Sequence, residues 1–116
     1  MMKLLFENWN RFLNEEQENP VAARMFAIDS KLPGEGHVGQ NWNHNLADAF
    51  NMMSSVEEEP EDLAMVLANF DADYWIKSDK ATKSLAMVRK IDPELAQDIV
   101  KEALKWKEIK EKIKRK

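Results

Sequence analysis

Pro93-Glu-Leu-Ala-Gln-Asp-Ile-Val-Lys-Glu-Ala-Leu-Lys-Trp-Lys-Glu-Ile-Lys-Glu-Lys-Ile113 decides the fold class. Leu95, Ile99, Ala103, Trp106, Ile109 and Ile113 recur at three- and four-residue steps. That is the period of one helix face, and a strand would need alternation at every second residue. Asp92 is a good cap and Pro93 suits the first helical position, where a missing N–H costs nothing. The mostly basic end from Lys110 to Lys116 complements the negative pole of the helix dipole. A seam of this length, about 27 Å at 1.5 Å per residue, must be covered by other helices or by a partner.

Working outward, the same period returns. Val21, Arg24, Met25 and Ile28 predict a short helix from Pro20 to about Asp29. Leu46, Ala49, Phe50 and Met53 predict one over 44–54. Leu63, Val66, Leu67 and Phe70 predict one from Pro60 to about Asp71–Asp73, with Tyr74, Trp75 and Ile76 continuing it or packing as a connector. Leu85, Val88 and Ile91 mark the inner face of a helix capped by Ser78 or Asp79. Leu5, Phe6, Trp9, Phe12 and Leu13 give residues 3–17 a wide aromatic stripe, which has to dock on its own domain or on another protein. No segment alternates long enough to argue a sheet. The expected architecture is all-α: one domain over residues 1–116, a compact bundle of five or six helices. Residues 30–43, which hold all three glycines, form an irregular loop pinned by Val38 and Trp42.

Composition narrows the function classes. At 44% hydrophobic and 33% charged the chain is globular in type. It has no Cys, which excludes disulfides, thiol catalysis and thiolate metal sites. No stretch approaches the roughly 18 apolar residues of a membrane span, and the initial apolar run stops at Glu7, short of a signal-peptide core. The expected compartment is the cytoplasm. The formal net charge of -4 hides an asymmetry: residues 1–76 carry 4 basic and 14 acidic side chains, residues 77–116 carry 13 and 7. Opposite poles of this kind favour internal attraction, head-to-tail pairing or a partner recognised at one end.

Few residues offer chemistry. Gly34-Glu-Gly-His-Val-Gly39 matches the spacing of a dinucleotide fingerprint, but Leu32-Pro33 precedes it where a strand is required, so it reads as a loop. His37, His44 and Asp48 form the one conceivable metal set, since two imidazoles and a carboxylate suit iron or zinc, yet no H-E-x-x-H or related spacing supports it. The carboxylates Glu57 to Asp62 read as a solvated helix start, and no nucleophile motif is present. No cofactor is expected. The Lys-rich terminal helix, Lys110, Lys112 and Lys114 above all, is the best partner signal. It would suit nucleic acid or an acidic protein, and the acidic total argues against nucleic acid.

Leu4-Leu-Phe-Glu-Asn-Trp-Asn-Arg-Phe-Leu-Asn-Glu15 resembles the opening of small accessory proteins encoded by marine T4-like phages, cyanophages among them. The resemblance covers about 12 of the 116 residues. It implies a phage accessory protein in the host cytoplasm and transfers no site residue.

The expected function is therefore non-enzymatic: a small interaction protein that binds a protein partner. Trp106, Ile109 and Ile113 are expected to project beyond the shorter helices as an apolar patch. With Lys110, Lys112 and Lys114 beside it, that patch would support a homodimer or a contact with another protein.

Overall fold

The computed structural model describes residues 19–33 and 39–114. Among them are six α-helices, one 3-10 turn and no strand: α1 (Pro20–Ala27), the turn Asp29–Lys31, α2 (Gln40–Ser55), α3 (Pro60–Ala68), α4 (Ala72–Lys77), α5 (Asp79–Ile91) and α6 (Pro93–Lys114). The expected helix over 3–17 lies outside the described residues, as do His37 and Val38.

The capping chemistry places most of the boundaries. The Asn19 side-chain oxygen accepts from the N–H groups of Val21 and Ala22 ahead of Pro20. Ser78 Oγ accepts from Ala81 N–H, so Ser78 rather than Asp79 opens α5. Asp92 Oδ1 accepts from Leu95 N–H, with Pro93 as the first residue of α6. Each such cap satisfies N–H groups that have no partner inside their helix.

Two expectations are corrected. The run expected as one helix from Pro60 to about Asp71–Asp73 is broken after Ala68, and a second helix starts at Ala72. Asn69 ends α3, Phe70 turns into the core, and Asp71 accepts from Tyr74 N–H to start α4 afresh. Tyr74, Trp75 and Ile76 are thus a helix of their own. The loop expected over 30–43 is also shorter at both ends. Asp29–Lys31 wind into a 3-10 turn, and α2 begins at Gln40, four residues ahead of its predicted start.

Gly39 makes that early start possible. Its φ is +68°, a conformation that L side chains rarely adopt, and a Cβ there would sit 2.8 Å from the Pro33 carbonyl oxygen. Its N–H donates to Ser84 Oγ at 3.0 Å, and Gln40 N–H donates to the Pro33 carbonyl at 2.8 Å. The two ends of the 34–38 segment are therefore tied together over α5. Gly39→Ala should lose roughly 1–3 kcal/mol of stability, the scale of a strained backbone residue, read as a lower midpoint in urea. An unchanged midpoint would mean that this crossing is not under constraint.

α6 is the spine. It packs against α1, α3, α4 and α5, while α2 crosses the other side of α1 and also meets α3 and α5. Leu95, Ala96, Ile99, Ala103 and Trp106 supply its buried face. Leu46, Ala47, Phe50 and Met53 from α2, Met25 from α1, Leu67 from α3 and Val88 from α5 complete one continuous core. Large apolar side chains converge from five elements on one volume, the usual way that amphipathic helices become stable together.

Polar ties lock α1 into place. The Asn19 side-chain NH2 donates to Ser54 Oγ of α2 at 2.9 Å and to Glu102 Oε2 of α6 at 2.7 Å, and its backbone N–H donates to Asn51 Oδ1. Arg24 meets Asp98 at 2.6 Å and Asp92 at 3.6 Å, joining α1 to the first turns of α6.

Candidate functional site

The fold rearranges the sequence-predicted sites. Trp106 is fully buried, its indole N–H donating to Glu102 Oε2 at 2.7 Å. The projecting patch expected at Trp106, Ile109 and Ile113 is therefore corrected. Ile109 and Ile113 are half-buried and packed against the core, and the exposed apolar residue of α6 is Leu104. The reason is geometric: α3 and α4 lie along the distal half of α6 and cover the seam that their short lengths seemed to leave open.

The basic terminal helix is also largely engaged. Lys110 Nζ donates to the Phe70 carbonyl at 2.8 Å, satisfying a group left open where α3 ends. Lys107 binds Asp73 at 3.1 Å, Lys112 pairs with Glu108 at 3.5 Å, and Lys105 pairs with Glu102 at 3.7 Å while lying over the Trp106 ring. Lys114 is exposed beside a groove that also holds Asp71, Asp73 and Glu111. Carboxylates in that groove oppose the anion that its lysines would attract.

The Lys107 hydrogen bond, helped by Lys77, holds the Asp73 carboxylate below its ordinary value of 3.8. The favourable state is the ionised one. The contribution of this pair to stability is therefore present above pH 3.8 and is lost as pH falls below it. The site is solvent-exposed, so the effect is small. Lys107→Met should move the Asp73 midpoint back up toward 3.8 in an NMR pH titration, and an unmoved midpoint would show that the pair does not form in solution. At the start of α3 the sign reverses. Glu59 hydrogen-bonds Asp62, and the like charge pushes its carboxyl up.

Of the candidate metal set, His37 lies outside the described residues. His44 and Asp48 do come together on α2, and Asp29 joins them from the 3-10 turn. His44 Nδ1 is 3.1 Å from Asp29 Oδ2, and His44 Nε2 is 3.4 Å from Asp48 Oδ2. The two carboxylates meet opposite edges of the ring, so one ion cannot take all three groups. Among the described residues no set of three or more such side chains is placed to hold a metal. The imidazole instead acts as a tie, edge-on to Phe26 at 5.2 Å, while Asp29 also accepts from the buried Asn43 amide.

The surface that sequence reasoning missed is the outer face of α5. Its inner face buries Ala81, Ser84, Leu85 and Val88. The outer face presents Lys80, Lys83, Arg89 and Lys90, all exposed and none with an ion-pair or hydrogen-bond partner among the described residues. The small side chains Thr82 and Ala86 lie between these cations, and Asp79 is the single acid on the helix. The signal was present in the sequence as Lys80, Lys83, Arg89 and Lys90, but the denser run of lysines after residue 100 outweighed it. Charge count favoured the tail; only the fold shows which cations are already neutralised.

Lys80 also forms part of a shallow cleft at the start of α5, where Trp42 and Asn45 of α2 face Tyr74, Trp75 and Ser78. Tyr74 is 52% exposed and stands edge-on to the half-buried Trp75 at 5.3 Å. The Trp42 indole N–H donates to the Trp75 carbonyl at 3.0 Å, so the polar groups at the back of the cleft satisfy each other. Among the described residues no helix is long and apolar enough to cross a membrane. No protein-family model, no curated protein and no solved structure matches the chain.

Proposed function

We propose that this chain is a small accessory protein that acts by binding another protein, with α5 as its recognition helix. One observation carries the reading: four cations, Lys80, Lys83, Arg89 and Lys90, stand on the solvent-facing side of α5 with no partner among the described residues, whereas Lys107 and Lys110 of α6 are tied to Asp73 and to the Phe70 carbonyl. Uncompensated charge on one rigid face steers encounter with a complementary surface and selects against like-charged ones. A phage origin, which the resemblance of residues 4–15 implies, fits a small protein whose activity is a contact with a host or viral protein.

Affinity capture from a lysate of the native host tests the reading when Lys83→Glu with Lys90→Glu serves as the control bait. Both positions are exposed, so the control should keep the helical circular dichroism of the parent. A protein retained by the parent and lost by the control is the expected result. Recovery of nuclease-sensitive material alone would replace this reading with nucleic-acid binding. Identical recoveries from both baits would remove α5 from the function.

A further inference from the structure

We propose that the cleft and the outer face of α5 form one strip that receives an acidic peptide segment of the partner, with one apolar side chain seated in the cleft against Tyr74 and Trp75. The inference rests on the protein-binding reading above and names the chemistry of the partner.

Lys80 belongs to both features, so they are continuous. From Lys80 the helix carries cations to Lys90, about 15 Å further at 1.5 Å per residue. Lys83 and Lys90 lie two turns apart on nearly the same line, and Thr82 and Ala86 beside them are small enough for a main chain to come close. An extended segment of about five residues covers that distance at roughly 3.3 Å per residue.

The size of the cleft decides what enters it. Its volume is about 80 Å³, well below the roughly 300–1,000 Å³ of pockets that enclose small-molecule ligands. It has room for a side chain. Because the Trp42 N–H and the Trp75 carbonyl are bonded to each other, an apolar side chain that covers them leaves neither unsatisfied. Aromatic walls with a charged rim are the arrangement in which one anchored residue gives most of the affinity and surrounding charges give selectivity.

Charge separates a peptide from a polyanion. The chain has a net charge of -4, and Asp79 sits within the strip. A segment with two or three carboxylates meets Lys80, Lys83 and Lys90 at little cost from the distant acids, which are screened beyond about 8–10 Å at physiological salt. A nucleic acid extends past the strip, and its added charge meets a chain whose net charge is -4.

Panning the full chain against a displayed library of random twelve-residue peptides tests this directly, followed by anisotropy measurements on an enriched peptide in 20 and 200 mM salt. The expected consensus is acidic with one Leu, Met or Phe. Its binding should weaken at least tenfold in Lys83→Glu with Lys90→Glu, about tenfold in Tyr74→Ala, and severalfold at the higher salt. Enriched peptides without acidic bias, or no enrichment, would overturn the proposal. So would a peptide that binds the charge-reversed variant equally well, or a labelled twenty-nucleotide oligothymidine that binds the same face more tightly than the peptide. If captured partners still depend on Lys83 and Lys90 while the peptides show no acidic bias, this inference fails and the protein-binding reading stands.

Discussion

Trp106→Ala should lower stability by roughly 3–5 kcal/mol, the range for removing a large aromatic side chain from a packed core. The residue has no exposed surface. Its loss also withdraws the indole N–H from Glu102 Oε2, a carboxylate oxygen that then depends on Asn19 and the more distant Lys105. Trp106→Phe separates the two effects. It retains part of the apolar contact while removing the donor and some ring volume, for which a smaller loss of roughly 1–3 kcal/mol is expected. Urea denaturation followed by circular dichroism at 222 nm reads both variants. An alanine variant as stable as the parent would mean that Trp106 does not lie in the core, and would restore it as a surface contact.

Asn19→Ala should cost roughly 2–4 kcal/mol, more than an ordinary cap. Removing a helix cap accounts for about 0.5–2 kcal/mol. The remainder comes from Ser54 and Glu102, which lose their amide donor in a partly enclosed site. Asn19→Asp distinguishes the two roles. Aspartate keeps the acceptor that caps Val21 and Ala22, but it replaces the amide that donates to Glu102 at 2.7 Å with a second negative charge. Asn19→Asp should therefore destabilise despite being a good capping residue. If it matches the parent in a thermal melt, the cap is the whole contribution and the bridge to α6 is dispensable.

The two variants probe one junction from opposite ends. Glu102 Oε2 receives both the Asn19 amide and the Trp106 indole, so the cap of α1 and the core of α6 meet on a single carboxylate oxygen, and Ser54 of α2 joins through the same Asn19 amide. Residues that share a partner do not contribute independently, and the double variant should be less destabilised than the sum of the singles. The α5 face has the opposite character. Lys83 and Lys90 hold nothing in place among the described residues, so reversing their charge should alter recognition and leave the fold nearly unchanged.

Among the described residues the sequence by itself determined five of the six helices and most of their first residues. Apolar residues at helical spacing need only be counted, and Asn19-Pro20, Ser78 and Asp92-Pro93 act through atoms a few residues away, so their effect is local and legible. Local chemistry also determined what the chain lacks, since without Cys no thiol site can exist. The break at Phe70 was already harder to read. Its apolar spacing continues the helix, and only the competing cap at Asp71 and the core position of the ring divide it. What tertiary structure alone decided was which side chains remain available. Trp106, Lys107 and Lys110 looked free because the covering helices α3 and α4 and the partners Phe70 and Asp73 lie some 30–40 residues away along the chain. Lys80, Lys83, Arg89 and Lys90 looked ordinary for the same reason. Availability is a property of long-range contacts, and periodicity along one helix carries no record of them.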